Sequence, residues 1–296
     1  MRVGGQALVL TNPDKVMYPE TGTTKADVLA YYLAIAETLL PYAAGRPVTR
    51  KRWVDGVGER PFFQKDLEDS APDWVPTRVQ HHRDHDNRYP VLDAATGVAT
   101  LAWFAQVAAL ELHVPQWRFT PDGEPGRPDR MVFDLDPGEG AGLPECVEVA
   151  KLLRAILDDA GLPTVPVTSG GKGVHLYAAL HGERTSEAAS ELAHELARSL
   201  EADHPELVVS TIRKADRRGR VLLDWSQNHA SKTTIAPYSL RGRARPTVAM
   251  PRTWGELASG RLRQIELHEV AGMLRRRGDA AEPLRAGAVR RPSVAG

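Results

Sequence analysis

Short apolar segments alternate with helix-like segments from residue 131 to residue 226, and this alternation constrains the fold more than any other feature. MVFDLD, PTVPVTS, GVHLYAAL and RVLLDWS are predicted strands. Pro144–Ala160 and Ser186–Leu200 are predicted helices. Short strands that alternate with helices predict an α/β sheet with mixed strand directions.

A different pattern occupies the N-terminal part of the chain. Lys25–Leu40 has helical spacing, and Thr24 is a plausible N-cap. We predict a strand over Pro47–Trp53, a long exposed connection over 66–90, and a buried Ala-rich helix over Thr96–Leu112. HVPQWRF then reads as a strand.

Three prolines and two glycines between Thr120 and Arg130 form the best candidate boundary. The expected modules, packed as one compact unit, are an N-terminal module over 1–120, a sheet module over 121–258, and a C-terminal helix with a basic tail over 259–296. The segment from Gly278, rich in Ala, Arg and Pro, is expected to fray.

The formal net charge is zero, with 38 basic and 38 acidic residues, and this argues mildly against a nucleic-acid-binding protein. Basic residues nevertheless cluster at 50–52, 213–220 and 241–245, so a basic groove remains possible. No apolar run approaches the roughly 20 residues of a membrane span. The single cysteine, Cys146, excludes an internal disulfide and a cysteine-based zinc site. A cytoplasmic protein is expected.

Two carboxylates lie close together in MVFDLDP. Alternate side chains of a strand face the same way, so Asp134 and Asp136 project together. Adjacent carboxylates repel each other unless a cation neutralises them, and oxygen ligands suit Mg²⁺ or Mn²⁺. Asp224, at the end of another strand, could complete a two-metal site. The open alternative is a strand that ends in an ordinary Asp-Pro turn.

The segment TSGGKGVHLY could bind an anion. Its glycines allow close approach of the backbone, whose N–H groups could face anionic oxygens, and Ser169, Lys172 and His175 add polar groups. The alternative is a plain β-hairpin turn. SKTTIAPYSLRGRARP carries Lys232, Arg241 and Arg243, which suit a phosphate tail or form an ordinary basic loop.

Near the N-terminus, Asn12, Lys15 and Lys25 surround a turn and a helix start, where unpaired N–H groups favour anions. Phe62 and Phe63, if exposed, would stack on nucleobases, although adjacent phenylalanines are more often in a core. The tract His81–Asp86 resembles a metal-binding sequence but lacks closing ligands.

The ordered set DLDP, SGGKGVHLY, LLDWSQN and KTTIAPYSLRGR resembles the archaeo-eukaryotic primase superfamily, and more narrowly the polymerase domain of bacterial ligase D. NPDKVMYP, RPVTRKRW, FFQK and HVPQWRF also fit, so the resemblance runs from about Leu8 to Leu257. It implies a primase-polymerase fold, in which an N-terminal α/β module packs on an RRM-like mixed catalytic sheet. It implies addition of NTPs or dNTPs to a primer 3′-hydroxyl at DNA ends or short gaps, in end joining or gap filling.

The resemblance assigns roles to particular residues. Two metal ions, Mn²⁺ in preference to Mg²⁺, would be held by Asp134, Asp136 and Asp224. The other implied roles are nucleotide binding by His113, Ser169, Lys172, His175, Lys232, Arg241 and Arg243; 5′-phosphate binding by Asn12, Lys15 and Lys25; template stacking by Phe62 and Phe63; and DNA contact by Lys51, Arg52 and Arg217.

The resemblance also implies partners. They are DNA with 5′-phosphorylated gaps or ends, NTP or dNTP, a separate DNA ligase because no K-x-D-G motif is present, and an end-binding protein. No membrane is involved, and a bacterial cytoplasmic, nucleoid-associated location is expected.

Two alternative functions stay open. One is a non-catalytic module that binds DNA ends through a 5′-phosphate pocket, and the other is a nucleotide-sugar transferase with a D-x-D motif. The presence of all three acids favours catalysis over the first, and the N-terminal lysines and the Phe pair disfavour the second.

Overall fold

The computed structural model describes residues 1–82 and 84–286. The chain forms two compact units, each built from separated segments. The first unit contains Met1–Gly126, Thr233–Met250 and Ile265–Gly278, and the second contains Arg127–Lys232, Pro251–Gln264 and the described residues from Asp279 onward. The expected modules 1–120, 121–258 and 259–296 stay a prediction, because compactness does not define functional modules.

The described part of the chain contains seven α-helices. They are α1 (Lys25–Ala43), α2 (Gly97–Gln106), α3 (Leu143–Asp159), α4 (Ser186–Asp203), α5 (Trp254–Leu257), α6 (Leu267–Arg277) and α7 (Pro283–Ala286). None of the helices within these described residues is both long and apolar enough to cross a membrane.

The strands are short. They are β1 (Arg2–Val3), β2 (Gln6–Ala7), β3 (Val16–Tyr18), β4 (Thr23–Thr24), β5 (Thr49–Arg52), β6 (Phe62–Gln64), β7 (Thr77–His81), β8 (Asp86–Pro90), β9 (Ala109–Val114), β10 (Trp117–Phe119), β11 (Pro125–Pro128), β12 (Arg130–Pro137), β13 (Thr164–Thr168), β14 (Val174–Ala179), β15 (Val208–Val209), β16 (Val221–Asp224), β17 (Thr234–Ile235), β18 (Thr247–Val248), β19 (Met250–Pro251) and β20 (Ile265–Glu266).

The second unit is built on a sheet in the order β15-β16-β12-β14-β13, which β19 extends at the β13 edge. β12 runs antiparallel to both of its neighbours, and β15 pairs with β16 in parallel. The predicted mixed sheet and the two predicted helices α3 and α4 are therefore confirmed.

One face of this sheet carries the hydrophobic core. Alternation along β12 turns Phe133 and Leu135 into the core, while Asp134 and Asp136 face the other way. The helices α3 and α4 bury their apolar faces in the same core, through residues that include Cys146, Val149, Leu153, Ala193 and Ala197. The carboxylates of Asp134 and Asp136 therefore lie on the face opposite this core.

The first unit has a four-stranded sheet in the order β17-β9-β5-β6. The predicted N-cap of α1 is confirmed, because Asp27 N–H donates to Thr24 Oγ1 at 3.2 Å and Thr24 N–H donates to Asp27 Oδ2 at 2.8 Å. The tyrosines of α1 anchor the returning segment, since Tyr31 Oη donates to the carbonyl of Tyr238 at 2.7 Å.

The predicted helix over Thr96–Leu112 is wrong in its second half. The helix ends at Gln106, and Ala108 adopts a φ of 58°, which reverses the chain into β9. Five of the six residues of β9 are buried, and the strand follows α2 after two residues, so the sequence reads as a continuation of the buried helix.

The predicted exposed connection over 66–90 contains a hairpin instead. β7 pairs with β8 in register from Thr77 with Pro90 to His81 with Asp86. Asn87 and Tyr89 are buried, which ties one strand of the hairpin to the unit. The polar composition of this segment concealed the pairing.

The expected fraying from Gly278 is wrong for residues up to 286. Arg285 Nη2 pairs with Asp279 Oδ2 at 2.7 Å, and Leu284 is buried in α7. The remainder of the predicted tail, 287–296, lies outside the described residues.

Candidate active site

Three strands of the second unit bring polar residues onto the face of the sheet opposite its core. On β12, Asp134 lies directly opposite Asp224 of β16 on one side and His175 of β14 on the other. Directly paired residues of antiparallel strands point to the same face, so Asp134 sits between an acid and an imidazole. Asp136 follows two residues along the same strand and shares that face.

Each carboxylate of this group has its own partner. Asp224 accepts hydrogen bonds from Ser226 N–H at 2.9 Å, from Ser226 Oγ at 2.7 Å and from Gln227 Nε2 at 2.9 Å. His175 Nε2 lies 3.4 Å from Asp134 Oδ1, and Arg217 Nη1 lies 3.5 Å from Asp136 Oδ2. These partners orient the carboxylates and offset part of their mutual repulsion.

The donor chemistry of this face fits hard divalent cations. Three carboxylates on adjacent strands offer the oxygen ligands that Mg²⁺ and Mn²⁺ prefer, and Asp136 is half exposed. Over residues 1–82 and 84–286, no three His, Cys, Asp or Glu side chains already converge as a closed metal cluster. Cation binding would therefore require carboxylate rotation, for instance of Asp136 away from Arg217.

The negative charge of this face affects the pKa of the buried Cys146 thiol. Burial first, and then the negative charges of Asp136 and Asp134, raise the pKa of Cys146 well above its usual range. Cys146 is a free, buried residue, as the sequence predicts, and it is inert rather than reactive.

The loop Ser169–Gly173 joins β13 to β14 beside the carboxylates. Gly173 packs against β12, because a Cβ atom at this position would lie 1.9 Å from the carbonyl oxygen of Leu135. Gly170 has a φ of 69°, which favours glycine. The loop is therefore fixed to the strand that carries Asp134 and Asp136.

The N–H groups of this loop do not all face outward as expected. Ser169 N–H donates to Gly173 O at 3.1 Å, Gly170 N–H to Gln264 Oε1 at 2.7 Å, and Gly171 N–H to Ser169 Oγ at 3.2 Å. Anion binding by this loop would consequently depend more on the exposed Lys172 side chain than on these three amides. Gln264, which also donates to Gly173 O at 3.2 Å, was missed because it lies 91 residues from Gly173.

The remaining predicted nucleotide residues are divided between the units. Lys232 is exposed in the second unit, whereas His113, Arg241 and Arg243 belong to the first. His113 Nε2 lies 2.8 Å from Glu111 Oε2, and Arg241 Nε lies 3.6 Å from Glu111 Oε1. Sequence reasoning missed Glu111, although a charged residue two positions before His113 in an apolar strand was a usable signal.

The predicted 5′-phosphate residues come together within the first unit. The amide of Lys25 donates to the carbonyl of Lys15 at 2.8 Å, which holds the 11–15 turn against the start of α1. Lys25 Nζ donates to Thr11 O at 2.9 Å, and Lys15 Nζ pairs with Asp55 at 2.8 Å. Asn12 is exposed in the same turn, with a φ of 50°.

Lys25 is a poorly solvated cation. Burial first, and then the positive charge of Lys15, lower its pKa below the usual range. Lys25 is the first residue of α1, and an anion bound beside it would offset both the lost hydration and the repulsion from Lys15.

The phenylalanine pair is exposed on β6, with Phe62 46% and Phe63 60% accessible. Cations lie over both rings, with Arg52 Cζ 5.4 Å from Phe62 and Lys51 Nζ 5.2 Å from Phe63. Arg52 is additionally engaged by Gln64 at 2.6 Å, so part of its hydrogen-bonding capacity is used inside the unit.

The predicted His81–Asp86 tract forms the tip of the β7–β8 hairpin. His81 Nδ1 lies 2.9 Å from Asp86 Oδ1, and the rings of His82 and His85 stack at 4.7 Å. The described residues of this tip do not form a cluster of ligands that could hold a metal ion.

Comparisons with known proteins identify relatives of the chain. A family model described as LigD, primase-polymerase domain, matches residues 24–281. The multifunctional non-homologous end joining protein LigD of Mycolicibacterium smegmatis is 53% identical over 279 residues, 94% of this chain and 36% of that protein. The bifunctional non-homologous end joining protein LigD of Bacillus subtilis is 33% identical over 253 residues, 85% of this chain and 40% of that protein.

A solved structure is also similar. The polymerase domain from Mycobacterium tuberculosis ligase D, in complex with DNA, matches with a TM-score of 0.91 at 53% identity, covering 96% of this chain and 99% of that chain. The chain spans less than half of the length of the two LigD relatives, and nearly all of this domain structure.

Proposed function

Because the chain belongs to the LigD primase-polymerase domain family, we propose that it is a repair polymerase that extends primer 3′-hydroxyls at short gaps or ends of DNA. Membership makes the chain a nucleotidyltransferase, and the named relatives are end-joining proteins. The observation that carries the proposal is the strand register, in which Asp134 lies between Asp224 and His175, with Asp136 beside them.

Asp134, Asp136 and Asp224 would hold two Mn²⁺ or Mg²⁺ ions. When bound, such ions supply activation of the 3′-hydroxyl and neutralisation of the charge on the leaving pyrophosphate. His175, which is 4% exposed, orients the carboxylate of Asp134 by its 3.4 Å contact. Ser226 and Gln227 hold Asp224 in one orientation, whereas Asp136 would have to leave Arg217 to join the other two carboxylates at a cation.

The triphosphate of the incoming nucleotide would be bound by basic side chains. Lys172 and Lys232 are exposed point charges in the second unit, and Ser169 and His175 add polar groups there. The guanidinium groups of Arg241 and Arg243 suit bidentate phosphate contacts, with His113 near the sugar or base. Arg217 would exchange its contact with Asp136 for one with DNA.

On the DNA side, Asn12, Lys15 and Lys25 would bind the 5′-phosphate downstream of the gap, and Phe62 and Phe63 would stack on the template. The proposal extends to a separate DNA ligase that seals the product, to an end-binding protein, and to work at the bacterial nucleoid. The DNA complex of the similar polymerase domain supports DNA as the partner.

The test of this function is primer extension with Mn²⁺ or Mg²⁺. Gapped, overhanging and unprimed DNA would be offered with NTPs or dNTPs. Extension of gapped, 5′-phosphorylated DNA is expected, with Mn²⁺ more effective than Mg²⁺. If none of the primed substrates is extended with either metal, the proposed function is wrong.

Removal of the two lysines should abolish selection of the 5′-phosphate. In Lys15→Ala/Lys25→Ala, affinity for a phosphorylated gap is expected to fall by about 10-fold or more, to the level of the unphosphorylated gap, because two charge-assisted contacts are lost. Fluorescence anisotropy with both gapped duplexes measures the ratio. Lys151→Ala, at an exposed position of α3, is the matched control and should keep the ratio. A ratio unchanged in the double variant would locate the phosphate site elsewhere.

The affinity for DNA should depend strongly on salt although the net charge is zero. The clustered cations would release counterions from DNA, so a log–log slope of about −3 or steeper is expected. Titrations of one gapped duplex between low and moderate salt measure the slope. A nearly flat response would mean that the basic clusters act on different faces.

A further inference from the structure

Glu111 is a buried carboxylate of the first unit that has no role in the function proposed above. It is 2% exposed in β9, and a buried charge is costly unless it is paired. Its Oε2 contacts His113 Nε2 at 2.8 Å. Its Oε1 accepts the N–H of Gly242 at 3.0 Å and lies 3.6 Å from Arg241 Nε.

These partners keep Glu111 ionised. Burial alone would raise its pKa, but the hydrogen bond of His113 and the charges of Arg241, His113 and Lys51 together lower that pKa to about 2. Glu111 is therefore a fixed negative charge at neutral pH. Two of its side-chain partners remain partly accessible, with 13% of the His113 side chain and 16% of the Arg241 side chain exposed.

The same carboxylate belongs to a row of side chains across three strands. Phe63 of β6 lies directly opposite Lys51 of β5, and Lys51 lies directly opposite Glu111 of β9. Directly paired residues share one face of the sheet, so these three side chains are neighbours. The His113 ring closes the row, because the centroids of the His113 and Phe63 rings lie 5.6 Å apart in a T-shaped arrangement.

A second set of contacts fixes the backbone beside Arg241. A Cβ atom at Gly242 would lie 2.2 Å from the ring of Trp53, so the backbone at Gly242 is in close contact with the indole. Lys51 Nζ lies 4.8 Å from that same ring. The stacking residue Phe63 and the Arg241 segment are thus both connected to Glu111, through Lys51 and through the amide of Gly242.

We propose that Glu111 is a positioning residue that holds His113 and Arg241 ready for the nucleotide and couples them to the template-stacking surface of Phe63. The inference rests on the proposed function and deepens it. It adds that nucleotide binding depends on a template base stacked on Phe63, and that the row of side chains from Phe63 to Glu111 transmits this dependence. Stability alone is a weaker explanation, since a well-packed apolar residue commonly replaces a buried ion pair at no cost.

The test compares KM and kcat for the nucleotide in wild type and Glu111→Gln on a gapped template. We expect KM to rise about 10-fold with little change in kcat or DNA affinity, because the amide has no charge and only one acceptor oxygen for His113 and Arg241. Glu256→Gln, which removes the ion pair with Arg252 at 3.2 Å in the second unit, is the control for a merely structural loss and should leave KM unchanged.

Coupling is measured by double variants. Glu111→Gln should have little further effect on KM in a His113→Ala background. On templated DNA, the fold-changes in KM caused by Glu111→Gln and by Phe63→Ala should not multiply when the two substitutions are combined. Lys51→Met, which leaves Glu111 intact, should raise KM on templated DNA more than in untemplated addition. This variant provides an answer if Glu111→Gln does not fold.

The outcomes separate the two proposals. If wild type extends DNA and His113→Ala raises KM, but Glu111→Gln and Lys51→Met do not, the inference is wrong and the function stands. Multiplicative effects in the double variants would also overturn it. If wild type extends no substrate, the proposed function fails. Nucleotide-induced thermal stabilisation of wild type and Glu111→Gln then tests Glu111 without turnover, and equal stabilisation would reject its role.

Discussion

Asp134→Ala is expected to reduce Mn²⁺-dependent primer extension by at least about 1,000-fold, since charge neutralisation at the reacting phosphate is among the largest catalytic effects. Asp134 is the central member of its row, with Asp224 on one side and His175 on the other. DNA affinity should be almost unchanged. Extension kinetics under single-turnover conditions and DNA anisotropy measure the two quantities.

A second readout separates metal binding from folding. Wild type should gain thermal stability with Mn²⁺, because a ligand that binds only the native state stabilises it, and Asp134→Ala should lose most of that gain. Without metal, the variant should be as stable as wild type or more so, because one of three mutually repelling carboxylates is gone. Asp159→Asn, at the exposed end of α3, is the control and should behave as wild type. Full extension by the alanine variant would refute the metal assignment.

Gly173→Ala is expected to reduce extension strongly, because it displaces the backbone beside the carboxylates and removes none of them. The new Cβ would lie 1.9 Å from the carbonyl oxygen of Leu135 and 3.1 Å from Pro137 Cδ, so either the loop or β12 must move. Overpacking of this kind costs about 1–3 kcal/mol. The displacement falls between Asp134 and Asp136 of β12, so we expect activity to fall by about 100-fold or more, given the sensitivity of positioned groups to 1 Å shifts.

Gly255→Ala is the matched control, because the nearest atom to its new Cβ is Thr253 Oγ1 at 3.9 Å. Alanine favours the helix there by about 0.5–1 kcal/mol over glycine, so stability should be equal or slightly higher. Denaturant unfolding and extension assays on both variants make the comparison. Normal activity of Gly173→Ala would mean that the 169–173 loop does not need its contact with β12.

Strong periodicity made the second unit predictable from sequence. The strand with Asp134 and Asp136 and the helices α3 and α4 follow from local patterns, and the shared face of the two aspartates follows from strand alternation. The pairing of Asp134 with Asp224 does not follow, because it depends on the register of strands 90 residues apart. The sequence identifies Asp224 as an acid at the end of a strand, but its position next to Asp134 is seen only in the sheet.

Prediction from sequence failed where burial removed alternation or where polar composition concealed pairing. β9 is buried along nearly its whole length and follows the Ala-rich helix α2 after two residues, so its residues looked helical, and β7–β8 looked like a loop. Glu111 and Gln264 were missed for a related reason. Glu111 contacts Gly242, 131 residues away, and Gln264 contacts Gly170, 94 residues away, so no local spacing reveals either contact, although the spacing of Glu111 from His113 was a signal for Glu111 itself.

The order in which segments join the first unit has a consequence for biosynthesis. Tyr31 and Tyr18 of the N-terminal segment donate hydrogen bonds to the carbonyls of Tyr238 and Arg241, which a ribosome makes more than 200 residues later. The unit cannot complete its core until residue 278 has emerged. Until then its N-terminal part remains incompletely folded, with apolar side chains exposed. A gene fragment that encodes only residues 1–126 should therefore yield an aggregation-prone product rather than an independent DNA-binding domain.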